Sequence, residues 1–439
     1  MARIADDDAG DHAMSEHASD DTMTTALERL PHATLAALGR EYLLFGHLVN
    51  RASLPWVHVE LGAEARERIA IEEWMGASPV YTQRMQRAMG FAGGDDVETI
   101  FKGLQLDVGF AHQYMDVRYA LESRDRGSFW LPSCGALLEL EQHGPDAVRS
   151  MCHAIEDPTF DATAVASNPL ARVRPVHRPP RVPADRTPHC HWNVFLEHDG
   201  EPVREIPLTG RVRASRLASF AFPEPEIARG GGGRDDYAGS FVPAFELELL
   251  SRRALVIACR EFLVQSHLLV RALMTAVAEL AGDDAARSIG VKQWTGAGAV
   301  AATRLRAALG VQGDDARAIA DVLRLHPSFV PGYTEVGIDV IGPDRLRIRL
   351  DDCEALREAD PYHWYALLDA DPHPALEAMA QAVNPQARCR AVTPLAGARR
   401  AWEIVIDPAA AAPAERPEVA IVAAANTARF VFRPGTAAA

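Results

Sequence analysis

The feature that most constrains this chain is a repetition. Residues 40–52 read REYLLFGHLVNRA and residues 260–272 read REFLVQSHLLVRA, an offset of 220 that also lays His47 on His267 and Trp74 on Trp294. RMQRAMG (84–90) falls on RLRAALG (304–310). After one gap LQLDVGFAHQYMDV (104–117) faces LRLHPSFVPGYTEV (323–336), and PSCGALLELE faces DDCEALREAD, which puts Cys134 over Cys353. SNPLARVRPV then faces VNPQARCRAV, HWNVFLE faces AWEIVID, and FAFP (220–223) faces FVFR (430–433). Matches kept in one order over roughly 180 residues read as one unit present twice. The first copy is expected over 24–225 and the second over 245–435. Between them, 226–244 is Pro- then Gly-rich and reads as a surface loop or flexible linker. Residues 1–23 are acidic, poor in apolar residues and aperiodic, and read as a disordered leader.

Each copy follows one grammar. TMTTALERLPHATLAALGREYLLFGHLVNRA and ARERIAIEEWMGASPVYTQRMQRAMG carry apolar residues at helical spacing. The glycines of FAGGDD suit a helix end, and its aspartates suit the N-cap of VETIFKGLQL. In AHQYMDVRYALES, Met115, Val117, Tyr119 and Leu121 alternate onto one strand face, RDRG turns, and GSFWLPS returns as a hairpin. A helix is expected over 145–166, interrupted at Asp157-Pro158; ARVRPVHR, HCHWNVFLE and LASFAFP read as strands. Helices followed by β-β-α-β-β predict an α+β fold, an antiparallel sheet with helices on one face. Two such units in tandem suit a pseudo-dimer, packed as isologous homodimers pack.

At 439 residues, 48% of them hydrophobic, the chain can bury two ordinary cores. A formal net charge of −15 argues against non-specific nucleic-acid binding, which needs clustered basic charge. The most apolar run, LVIACREFLVQSHLLVRALM, is cut by Arg260, Glu261, His267 and Arg271, so it reads as a core helix rather than a membrane span. The first residues lack the basic and apolar regions of a secretory signal, and six cysteines without one read as reduced thiols in a cytoplasmic protein. P-loop, GxGxxG, GxSxG and HExxH patterns do not occur.

The chemistry concentrates between Cys134 and Trp192, a stretch with three cysteines and five histidines, His143, His153, His177, His189 and His191. On its last strand Cys190, Trp192, Val194 and Leu196 share one face, and His189, His191 and Asn193 share the other. Cys190 therefore points with the apolar residues, toward the helix that carries Cys152. Cys134, Cys152 and Cys190 are candidate ligands for zinc, although no CxxC pair is present. Cys152, His153, Asp157 and His191 are the candidate catalytic residues: a thiol or a metal-bound water attacks, with an imidazole as base. The alternative is that the thiols are small buried hydrophobes. In the second copy Cys190 falls on Arg400, His191 on Ala401, Cys152 near Leu367 and Leu368, and His112 on Pro331. An arginine on a buried strand face is costly, so the first copy reads as the active one and the second as degenerate.

Two further groups stand out. HRPPRVPADR (177–186) resists regular structure and is rigid and basic. It suits either a lid whose Arg178 and Arg181 meet a substrate carboxylate or an exposed loop. His112 and Asp116 alternate onto one strand face with Tyr114 and Arg118, as a substrate-binding pair or as the solvated side of the sheet. His47 and His267, in apolar surroundings, read as structural, each sharing a hydrogen bond with Glu41 or Glu261.

The Met151-Cys152-His153-Ala154-Ile155-Glu156-Asp157-Pro158 element, Asn168-Pro169 before a hydrophobic strand, and the closing Cys190-His191-Trp192 strand resemble the aminothiazoline carboxylate hydrolase-like proteins, ring-opening hydrolases of bacterial cysteine-derived heterocycles. More distantly they are similar to the vinyl-reductase-type small-molecule-binding domains, in which cysteines near the last strand hold zinc. The resemblance covers mainly 132–196 and departs in the 177–186 insertion and in the doubling of the unit. It implies Cys152, Asp157 and Cys190 as site residues. The function expected is hydrolysis of a C–N bond in a small cyclic amide or thiazoline-like substrate. The alternative is a non-catalytic binding protein for a small hydrophobic metabolite, with a structural Cys/His zinc site.

Overall fold

A computed structural model describes residues 23–394 and 397–433. The leader expected over 1–23 lies outside the described residues apart from Met23. The first half runs α1 (Met23–Arg29), α2 (His32–Leu61), α3 (Ala63–Ala88), α4 (Val97–Leu104), β1 (Met115–Ser123), β2 (Arg126–Cys134), α5 (Gly135–Leu140), α6 (Pro145–Arg149), a π-helical turn (Ser150–Ile155), α7 (Glu156–Ala164), β3 (Ala171–His177), β4 (Cys190–Leu196), α8 (Pro207–Arg213) and α9 (Arg216–Ser219). The second half runs α10 (Arg252–Ala281), α11 (Asp283–Ala308), α12 (Ala316–Leu323), β5 (Val336–Gly342), β6 (Arg345–Asp351), α13 (Pro374–Gln381), β7 (Ala387–Val392), β8 (Ala398–Ile406), α14 (Pro417–Ala423) and α15 (Asn426–Arg429).

The fold is α+β with two four-stranded antiparallel sheets, ordered β1-β2-β4-β3 and β5-β6-β8-β7. Each half has a 30-residue helix followed by a 26-residue helix ahead of its sheet. The joint between them is a single glycine with positive φ, Gly62 at 91° and Gly282 at 89°, a backbone state that a side chain resists. The expected aspartate cap forms, with Asp96 accepting the Thr99 amide at the start of α4, and Asp315 accepts the Ala318 amide at the start of α12 in the same way. The long helices pack across the halves, α2 against α10 and α11, and α3 against α10. α7 then lies between α3 and the first sheet, and α13 between α11 and the second. α10 is the one helix among the described residues long and apolar enough to cross a membrane, and 83% of its most apolar window is buried in the protein.

Two buried ion pairs tie the halves reciprocally. Arg84 on α3 meets Glu261 on α10 at 2.8 Å, and Arg304 on α11 meets Glu41 on α2 at 2.6 Å. Glu41 and Glu261 are thus engaged by arginine rather than by histidine. His47 instead donates to the Gly109 carbonyl at 3.2 Å, and His267 to the Pro327 carbonyl at 3.0 Å.

Three local expectations need correction. LASFAFP forms no strand: Ser215 caps the short helix α9, and Arg84 takes the Ala218 and Phe220 carbonyls that a sheet neighbour would have used. The helix over 145–166 is not interrupted at Asp157-Pro158. Pro158 lacks an N–H for the Ala154 carbonyl and crowds it, and the helix answers by widening into the π turn at 150–155 before resuming as α7. The joint at 226–244 is pinned to the first half. Tyr237 is fully buried, stacks on Phe245 at 4.8 Å and donates to Gln105 Oε1 at 2.7 Å.

Candidate functional site

The first sheet presents an apolar inner face to α7. Phe129 on β2 pairs in register with Trp192 on β4, and Phe160 from α7 stands edge-on to Trp192 at 4.8 Å. At one end of this face the aromatic packing stops and a cavity of about 50 Å³ remains. Cys134, Cys152 and Cys190 all line it. The strand alternation that aimed Cys190 inward therefore delivers it beside Cys152, and Cys134 arrives from the end of β2. Cys134 also closes the start of α5, its Sγ accepting the Leu137 amide at 3.4 Å. Its backbone N–H donates to His189 Nδ1 at 3.1 Å.

Two residues that the sequence reading did not single out complete the lining. Glu156 stands four residues after Cys152, at the junction of the π turn and α7, a spacing that puts both on one helix face. His189 lies in the cavity rather than on the His191 side, because β4 begins only at Cys190 and the alternation does not extend back to residue 189. With Nδ1 accepting from Cys134, the ring's proton sits on Nε2.

Burial sets the charge state of the cavity. It pushes the Cys134 thiol up to about 12 and, with the nearby Glu156 carboxylate adding to the effect, holds the Cys152 and Cys190 thiols well above their ordinary value. Burial also raises Glu156 to about 8, against the pull of Arg178. At neutral pH the walls are three thiols and a mostly protonated carboxyl, with no thiolate among them. Among the described residues no three His, Cys, Asp or Glu side chains stand close enough together to hold a metal ion. The three thiols line one space.

The segment after β3 covers this cavity through Pro179 and is fastened to the helical side at three points. His153 donates to the Pro179 carbonyl at 2.7 Å, Arg178 pairs with Asp157, and Arg181 makes two bonds of 2.8 Å to Glu141. His153, Asp157, Arg178 and Arg181 thus serve as fasteners of the cover, and both guanidinium groups already hold carboxylates of the chain. His191 projects from the opposite face of the sheet, against Trp130 and His177, away from the thiols.

A larger cleft of about 890 Å³ adjoins the cavity, with Phe110 and Met115 lining both. It opens between β1, residues 243–246 and the segment after α15. His112 and Asp116 line it without pairing. His112 donates to the Gln105 carbonyl at 2.6 Å, and its Nδ1 is buried without a partner. Asp116 pairs with Arg118 at 2.7 Å. A bulge between Asp116 and Arg118 breaks the expected alternation, and Leu121 is exposed.

The second sheet lacks this arrangement. Among the described residues no counterpart of α6 and the π turn covers it, and Arg400, in register with Leu350 as Cys190 is with Leu131, is exposed. The expected penalty for a buried arginine therefore does not arise. Trp364, Tyr365, Leu367 and Leu368 fill the helical side instead, with Trp364 stacked on Trp294 at 5.5 Å. No protein-family model, curated protein or solved structure matches the chain.

Proposed function

We propose that the first half is a binding domain for a small, largely apolar molecule. The ligand enters the cleft and places its narrow end in the thiol-lined cavity. The supporting observation is that the two spaces share Phe110 and Met115 as walls, so one side chain's movement joins a recess of about 50 Å³ to a cleft of about 890 Å³. The combined size is that of small-molecule sites, the recess is mostly apolar, and the cleft sets apolar walls such as Phe110, Met115, Phe245 and Phe430 beside the charged Asp116, Arg118, Glu246 and Arg429. Protonated thiols favour recognition over attack, because the thiolate is the nucleophile.

The test is titration with an apolar environment-sensitive fluorophore. Wild type is expected to bind saturably, and Met115→Trp, which fills the shared wall, is expected to weaken binding at least about tenfold. No saturable binding, or equal affinity in the variant, would refute the proposal.

C–N bond hydrolysis is a second reading, favoured by one observation. Glu156 lies beside Cys152 with its pKa near 8, a value suited to proton transfer at neutral pH. On this reading Cys152→Ala and Glu156→Gln both abolish release of the amine or thiol product from a thiazoline or cyclic amide. Retained turnover in both variants would sink it.

We also infer that the halves are copies of one unit folded as a pseudo-dimer. The reciprocal Arg84–Glu261 and Arg304–Glu41 pairs, each offset by 220 residues from the other, support this as an isologous contact would.

A further inference from the structure

The outer face of the first sheet carries a second cluster that the binding reading leaves unused. His177 on β3 and His191 on β4 are register partners on adjacent antiparallel strands. Their rings stand 6.3 Å apart between centroids, inclined at 78°, with Trp130 5.8 Å from His191. His191 Nε2 and His177 Nδ1 are both buried, and neither has a hydrogen-bond partner. An orphaned buried ring nitrogen is costly. Two of them on register-paired residues are two unsatisfied ring nitrogens on one patch of the sheet.

We propose that His177 and His191 chelate a divalent first-row transition cation, such as zinc, cobalt or nickel, with water completing the coordination. Neutral imidazole is the commonest protein ligand for these ions and suits them better than it suits magnesium or calcium. Metal–nitrogen distances of about 2.0–2.1 Å along each ring's lone pair require centroids roughly 5 to 6.5 Å apart, depending on the angle at the metal. The observed 6.3 Å is the wide end of this span, and a χ1 adjustment that brings the rings about 1 Å closer gives a tetrahedral angle at the metal. The site has two protein ligands and lies on the opposite face of the sheet from the thiols. It is therefore separate from the zinc set read in the sequence and independent of the proposed ligand cavity. The second sheet has Val392 opposite Ala401 at the matching register and offers no such pair. Arg186 acts electrostatically on His177 and opposes a cation there.

The test is cobalt titration of the full chain. One equivalent is expected, with weak visible bands of nitrogen and oxygen ligation and no near-ultraviolet sulfur-to-cobalt band. His177→Ala and His191→Ala should each weaken binding at least about tenfold, the loss known even for outer-sphere changes. The triple variant Cys134→Ser, Cys152→Ser and Cys190→Ser should bind as wild type does, and Arg186→Ala should bind more tightly. A measurement that needs no variant accompanies these. Zinc should protect His177 and His191 from imidazole acylation, read by peptide mass spectrometry. No binding by wild type, a sulfur band that disappears in the triple variant, binding unchanged in both histidine variants, or no zinc protection would overturn the proposal.

Discussion

Replacing Glu73 by glutamine should stabilise this protein, increasingly so as pH rises. Glu73 on α3 has no exposed surface. Its Oε2 accepts Asn50 Nδ2 at 2.9 Å, while Oε1 is buried without a partner. Burial, only partly offset by Asn50 and by the Arg51 charge, lifts its pKa from the ordinary 4.5 to about 8. The folded state therefore keeps a proton that the unfolded chain releases above pH 4.5. Stability associated with Glu73 is fully present below that pH, falls as pH rises, and levels off above about 8. The slope is about 1.4 kcal/mol per pH unit, which sets a ceiling of about 5 kcal/mol. Relaxation and water entry reduce this to about 2 kcal/mol at neutral pH. Glutamine has the same shape and no proton to lose, and Gln293 occupies the matching position on α11, accepting Trp364 Nε1 at 3.0 Å. Urea unfolding of both proteins between about pH 5 and pH 8 measures the difference. The Glu73→Gln curve should diverge upward from wild type as pH rises. A residual slope should remain, because burial also raises Asp107, to about 7. Parallel curves would mean that Glu73 is ionised in the folded state, and the reasoning from burial would fail.

Arg84→Ala should cost about 3–5 kcal/mol in chemical denaturation, because it leaves Glu261 buried and unpaired. Replacing both Arg84 and Glu261 by apolar residues should recover much of that loss. Gly135→Ala should destabilise by about 1–3 kcal/mol in the same assay, since a Cβ there would overlap the Tyr114 ring at the turn from β2 into α5. Arg178→Ala combined with Arg181→Ala should release the cover over the cavity. A thiol reagent under native conditions should then label Cys134, Cys152 and Cys190 several-fold faster than in wild type, while Cys259 and Cys389 stay unchanged.

The parts of the fold legible in sequence were those set by period and punctuation. Helical spacing in 32–61, the aspartate cap at 96 and the antiparallel hairpin at Arg124 follow from local rules. Strand alternation also placed Cys190 on the helical face. It failed one residue outside the strand, at His189, and across the bulge after Asp116, because alternation holds only where the ladder is regular. What arginine does was not legible. Arg178 and Arg181 looked free for a substrate because Asp157 and Glu141 lie 21 and 40 residues away, and only the folded chain brings them together. Glu156 was within reach, four residues from Cys152 on a helix that the sequence did predict.

The two halves share a frame and differ in how they fill it, and the difference has a direction. In the first half the buried oxygens without partners are those of Glu73, Ser78, Thr82 and Asp107. At the matching positions of the second half stand Gln293, Gly298, Ala302 and His326. There His326 donates to the Gly298 carbonyl at 2.9 Å and accepts the Ser328 amide at 3.1 Å, and the Ser328 hydroxyl accepts Trp294 Nε1 at 2.9 Å. At these four positions the second half leaves no buried oxygen without a partner, and it packs tryptophan where the first half has a cavity. An unsatisfied buried polar atom costs about 1–3 kcal/mol. A frame that can satisfy these positions, as the second half does, had no need on stability grounds to leave them open in the first. The four unpartnered oxygens and the thiol-lined cavity both lie in the first half, which is the pattern expected of a site whose stability has been given up to binding or chemistry. On that reading Glu73→Gln should gain stability and lose ligand affinity together. A gain in stability with affinity unchanged would separate the carboxyl network from the thiol cavity.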